Sequence, residues 1–110
     1  MPITRKQFEL EIDTKTEEWM DKIKVFLAEH KDGAFTEYEL RQHYSPILLG
    51  LLSEQEKRLF HITKKDLFDF LPDEAQAFHL ALEKLVELRD AQKRLIRGTE
   101  YYAYWGEPPF

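Results

Sequence analysis

The chain contains no cysteine. That excludes a disulfide framework, a thiolate metal site and a cysteine nucleophile. Glycine and proline are sparse, four and five residues, and no linker-like or low-complexity stretch marks a second domain. No run approaches the roughly 18–20 apolar residues of a membrane span. The opening MPITRKQFELEID has no continuous apolar run of the signal-peptide kind, so a cytoplasmic, membrane-free chain is expected. No phosphate-binding glycine loop and no nucleophile elbow is present. His30, His43, His61 and His79 share no metal-ligand spacing, and the pair Glu39 and His43, one turn apart, is too little for a metal. Neither an enzyme, a metal nor a cofactor is expected.

What is present fits a folded domain. The 110 residues are 43% hydrophobic, 14% aromatic and 34% charged, a composition that argues against disorder. At this length a single core is self-supporting. Sixteen Lys and Arg against 21 Asp and Glu leave a net charge of −5. A generally basic nucleic-acid coat is excluded, but a local basic patch is not, because phosphate binding depends on where the charges sit.

Local patterns order the chain. Thr4 with Gln7 is a capping box for a short helix, whereas Phe8, Leu10 and Ile12 alternate with acids as in a strand. Both readings make residues 1–14 an arm. Thr14 with Glu17 is a second box, followed by Trp19, Ile23, Phe26, Leu27 and His30 at helical spacing, which predicts a helix over 15–31 stopped by Gly33. Ala34-Phe35-Thr36 is a brief extended piece. Thr36 and Glu39 open a helix over 37–44, broken at Ser45-Pro46. Ile47 to Leu52 is apolar and expected inside. Ser53 and Glu56 start a helix reaching Phe60. His61-Ile62-Thr63 should then be extended, with Thr63 and Asp66 opening a helix over 64–71. Asp73 or Pro72 begins the longest C-terminal helix, whose buried stripe is Ala75, Phe78, Leu82, Leu85 and Val86 and whose end is expected near Asp90. Gln92 to Arg97 and Glu100 to Trp105 are β-rich and flank Arg97-Gly98-Thr99, a hairpin signal. The fold class expected is mainly α with a C-terminal β-hairpin.

The strings TKKDLFDFL, PDEAQAFHLALEKLVELRD and AQKRLIRGTEYYAYW, over 63–105, resemble a winged helix-turn-helix domain in their order of short helix, turn, longer helix and hairpin. The resemblance implies an N-terminal helical arm, a winged-helix domain over 15–106 and a tail at 107–110. It implies that 15–31 is the first scaffold helix, 72–90 the recognition helix and the hairpin a wing. Either 37–44 or 64–71 is the middle helix, so residues of about 45–62 look like a helical insertion. The function it implies is double-stranded DNA binding by a transcriptional regulator. A homodimer is expected from size, since one such domain covers a short site, with the arm at 3–13 and the helix at 15–31 offering apolar surface for it.

The candidate DNA-binding residues follow from where such a domain needs donors and cations. Lys93, Arg94 and Arg97 outweigh Glu100 on the hairpin. Lys64 and Lys65 sit at a helix start, where backbone N–H groups point outward. Lys57 and Arg58 extend the patch. Gln76 and His79 are the side chains placed to read a base edge. The same helix argues against insertion beside phosphates, because 73–90 carries five acids against two bases. A second reading is therefore a winged-helix protein-interaction module. It would use that acidic helix or the aromatic hairpin face, where alternation sets Tyr101, Ala103 and Trp105 opposite Tyr102 and Tyr104.

Overall fold

A computed structural model describes residues 2–63 and 67–104 of the chain. Among them six α-helices precede a two-stranded antiparallel hairpin. The N-terminal ambiguity resolves to helix. α1 (Arg5–Leu10) carries the Thr4 and Gln7 capping box in both directions and ends where Glu11 turns left-handed at φ 59°. Gln7 and Ile12 face inward while Phe8 faces out.

α2 (Thr14–Glu29) begins one residue before the expected point. Its cap is Asp13, whose Oδ1 accepts from the Thr16 backbone N–H at 2.8 Å. Thr14 instead accepts from the Gln7 side-chain amide at 3.2 Å. The carboxylate is the stronger acceptor at a helix N-terminus, so it displaces the threonine. Trp19, Met20, Ile23, Phe26 and Leu27 form the buried face.

α3 (Glu37–His43) starts on the predicted Thr36 and Glu39 box and buries Leu40. The break at Ser45-Pro46 is only a change of direction, because α4 (Ser45–Leu49) follows at once with proline in its first turn, a position that needs no amide hydrogen. The expectation that Ile47 to Leu52 lies inside holds for Leu48 and Leu52. Ile47 and Leu51 are exposed, because helical spacing puts Leu48 and Leu52, four apart, on the inner side and their preceding neighbours on the outer one.

The largest departure follows. α5 (Glu54–Thr63) has the expected Ser53 and Glu56 box but does not stop at Phe60. His61 and Ile62 are helical, not extended, and Thr63 ends a helix where it was expected to cap one. Residues 64–66 lie outside the described residues. The remaining part of the helix expected over 64–71 is a single 3-10 turn, Leu67–Phe70. Leu67 and Phe68 are both buried, and Pro72 disfavours helical backbone at Leu71, which keeps the turn short.

α6 (Pro72–Glu87) begins on Pro72, one of its two expected starts, and buries Ala77, Phe78, Ala81, Leu82 and Leu85. It stops three residues early. Leu88 is the cap, Arg89 turns left-handed at φ 63°, and the Leu85 carbonyl accepts from Asp90 and Ala91. α6 packs along α2, and between them sits an aromatic cluster. The Trp19 ring lies 5.3 Å from Tyr44, 5.1 Å from Phe78 and 6.1 Å from Phe68. Each such side chain removed from water stabilises the fold by about 1.5–3 kcal/mol.

β1 (Gln92–Ile96) and β2 (Thr99–Ala103) pair with Ile96 opposite Thr99, so both strands end sooner than expected. Phe35 adds a bridge on the outer edge of β2. Its N–H donates to Tyr102 O at 2.8 Å and its carbonyl accepts from Tyr102 N at 2.7 Å. At this end of β2 both faces are covered. Tyr102 and Ala103, 3% and 4% exposed, are buried together although they alternate. Trp105 and the tail at 107–110 lie outside the described residues.

Candidate functional site

The two-residue turn that closes the hairpin is Arg97-Gly98, with φ 52° and 83°. Two positive φ values in a two-residue loop are the signature of a type I′ turn, whose twist matches that of paired strands. Asn-Gly is its usual occupant. An arginine there takes the left-handed conformation at a cost of about 1–2 kcal/mol relative to glycine. Arg97 is exposed at the tip and makes no ion pair among the described residues.

The other hairpin cations lie on opposite faces, since neighbours in a strand alternate. Arg94 is exposed and donates to Lys93 O at 3.1 Å and to Gln92 Oε1 at 3.5 Å. Lys93 Nζ stands 3.9 Å from Glu100 Oε1, a loose surface pair worth little. Leu95 and Ile96 are exposed between the cations and the tip. Lys64 and Lys65 lie outside the described residues. Lys57 pairs with Glu54 at 3.5 Å, and Arg58 is exposed.

Gln76 is exposed on α6, in a shallow depression shared with Asp13, Lys15, Asp73 and Leu80. His79 is half exposed but occupied. Its Nδ1 is 2.9 Å from Glu37 Oε1 and its Nε2 is 3.0 Å from Glu83 Oε1. The hydrogen bond that the ring donates to Glu37 raises the imidazole pKa above 6.5, against the opposing effect of burial, and the Glu83 charge adds to it. Glu37 also pairs with Arg41 at 2.7 Å. With both ring nitrogens engaged, His79 has no nitrogen left for a base edge in this arrangement.

The acid count of the 73–90 segment overstates its exposed charge. Glu74 turns inward, accepting from Trp19 Nε1 at 2.7 Å and pairing with Lys15 at 2.9 Å. Burial alone would raise its pKa, but those two donors together hold it below the usual carboxylate range. Glu83 meets His79, Glu87 meets Lys84 at 3.2 Å, and Asp90 meets Lys24 at 3.8 Å. Of the five acids only Asp73 makes no ion pair among the described residues. Of these partners Lys15 and Lys24 come from α2, beyond the reach of a local reading, as does Glu37 of α3, the second carboxylate on His79.

Among the described residues no group of three His, Cys, Asp or Glu side chains is placed to hold a metal, and no helix is long and apolar enough to cross a membrane. The structure thus gathers Lys93, Arg94 and Arg97 on one hairpin, and keeps Gln76 and His79 apart from them on α6. Compared with models of protein families, with curated proteins and with solved structures, the chain matches none.

Proposed function

We propose that the chain is a small winged-helix protein that binds double-stranded DNA as a homodimer and regulates transcription. The observation that carries this reading is Arg97. A cation held in a left-handed conformation at a hairpin tip, where asparagine would cost less, points to a role outside the fold. Arg94 and Lys93 extend its charge along the strand. The layout supports the same reading. The bridge at Phe35 falls between α2 and α3, so α2, α3 and α6 take the three helix positions before the wing. α3 is then the middle helix, and residues of about 45–62 are the insertion. In this arrangement the wing supplies phosphate contacts. Gln76 contributes at the groove, with Lys64 and Lys65 as further cations, while His79 contributes only once released from its carboxylates.

The test is fluorescence anisotropy of labelled duplex near 50 mM salt. Replacing Arg94 and Arg97 by alanine should weaken binding and flatten the logarithmic salt dependence by about one unit for each phosphate no longer neutralised. A wild-type chain that binds no duplex at that salt overturns the reading.

A protein-interaction module is the second reading, and the clasp on His79 favours it. Glu83 and Glu87, one turn apart on α6, keep side chains more than half exposed although each is paired. Under this reading a partner is lost on Glu83→Lys or Glu87→Lys and is indifferent to Arg97→Ala.

A further inference from the structure

Two exposed apolar surfaces remain unexplained, and they are complementary. The first is a groove of about 420 Å³ along α2, walled on its far side by α3 and α4. Its floor is Phe26, with the rings of His30 and His43 centred 4.2 and 4.3 Å away. Val25 and Ile47 line it although they are 55% and 52% exposed. Asp21 and Glu29 stand on its α2 side two turns apart, about 12 Å at 1.5 Å per residue. Neither makes an ion pair among the described residues, and Lys22, the cation on that wall, lies over the Trp19 ring at 5.0 Å.

The second surface is the outer side of α5. Ile62 is 77% exposed and Leu59 is half exposed one turn before it. Arg58 is exposed beside them and makes no ion pair among the described residues. Phe60 points the other way, 6.5 Å from Phe70, which ties the helix to its own chain and leaves this side outward. From Arg58 to Ile62 this surface runs about 6 Å along the helix, so its one cation and two apolar side chains fit within the span between Asp21 and Glu29.

We propose that the groove receives α5 of a second copy of the chain, with Ile62 and Leu59 on Phe26, Val25 and Ile47, and Arg58 between Asp21 and Glu29. Only six residues join Ile47, on the groove, to Glu54, at the start of α5. A two-fold axis lets each copy fill the other, the self-complementary form that closes a dimer. The inference rests on the homodimer proposed above and supplies its interface, but its test contains no nucleic acid, so failure of the wing and failure of the interface are read separately.

Sedimentation equilibrium of the full chain should show a monomer–dimer equilibrium. Ile62→Asp and Val25→Asp, both at exposed positions, should each weaken it at least about tenfold with an unchanged circular dichroism spectrum. Glu29→Arg should weaken the dimer, and adding Arg58→Glu should restore it, which keeps the test independent of folding. Because the chain has no cysteine, a mixture of Val25→Cys and Ile62→Cys chains should oxidise to the mixed disulfide. A monomer at all concentrations, a dimer indifferent to these changes, or disulfides of Ile62→Cys only with itself would overturn the proposal.

Discussion

His79 on α6 and Glu37 on α3, 42 positions apart in the sequence, meet at 2.9 Å and join the two helices. Because Glu37 is also held by Arg41, the histidine docks onto a carboxylate that is already oriented. The pair fixes the exposed edge of the α3–α6 contact rather than its core.

Its stability contribution should depend on pH in a definite direction. The folded-state pKa of His79 is raised above 6.5. The contribution is therefore fully present below about pH 6.5, the unfolded value, and is lost as pH rises through the folded value. His79 is half exposed, so the effect stays below about 1 kcal/mol. The melting temperature of His79→Gln should fall below wild type by more near pH 5.5 than near pH 8.5. Equal gaps at both would show that the ion pair contributes nothing.

Arg97 sets stability against binding. Arg97→Asn gives the turn its preferred residue and should stabilise the chain by up to about 1 kcal/mol. The same change should weaken duplex binding, and denaturant unfolding with anisotropy on one preparation reads both. Gly98→Ala should destabilise although nothing crowds its Cβ position, since its φ of 83° strains any side chain.

The aromatic cluster is the main reservoir of packing energy. Phe78 is fully buried and touches the Trp19, Phe68 and Tyr44 group. Phe78→Ala should cost about 3–5 kcal/mol and change Trp19 fluorescence in the folded state. Truncating exposed Phe8 should stay within about 0.5 kcal/mol.

Asp13 should behave as the cap of α2. Asp13→Ala should cost about 1 kcal/mol, more than Thr14→Ala. The hydrogen bonds from Thr16 hold the Asp13 carboxyl below 3.8. Its contribution is present above that value and is lost as pH falls through the lower folded pKa. A cost of Asp13→Ala unchanged between about pH 5 and pH 2 would contradict this assignment.

Local chemistry was legible in the sequence, and long-range geometry was not. The boxes at Thr4, Thr36 and Ser53, the proline start of α6 and the Arg97-Gly98 turn could all be read within five residues. Thr63 carried the same pattern and misled, because a threonine cap fits any chain leaving an extended segment and His61-Ile62 stays helical. The hairpin tyrosines misled differently. Alternation assigns Tyr102 and Ala103 to opposite faces, yet a wedge enclosed on both sides buries both. At the candidate site the cations were visible by composition. The left-handed backbone of Arg97 was not, since arginine is a poor marker of that conformation. The carboxylates around His79 were hidden because one of them arrives from another helix.

The bridge between Phe35 and Tyr102 carries a consequence for the order of folding. It joins positions almost two-thirds of the chain apart, so closing it costs loop entropy that only prior collapse of α2 on α6 can reduce. During synthesis Phe35 emerges long before its partner and its ladder amide waits on water until β2 has been made. Loop entropy thus favours an order in which the helices condense first and the Phe35 bridge closes after them.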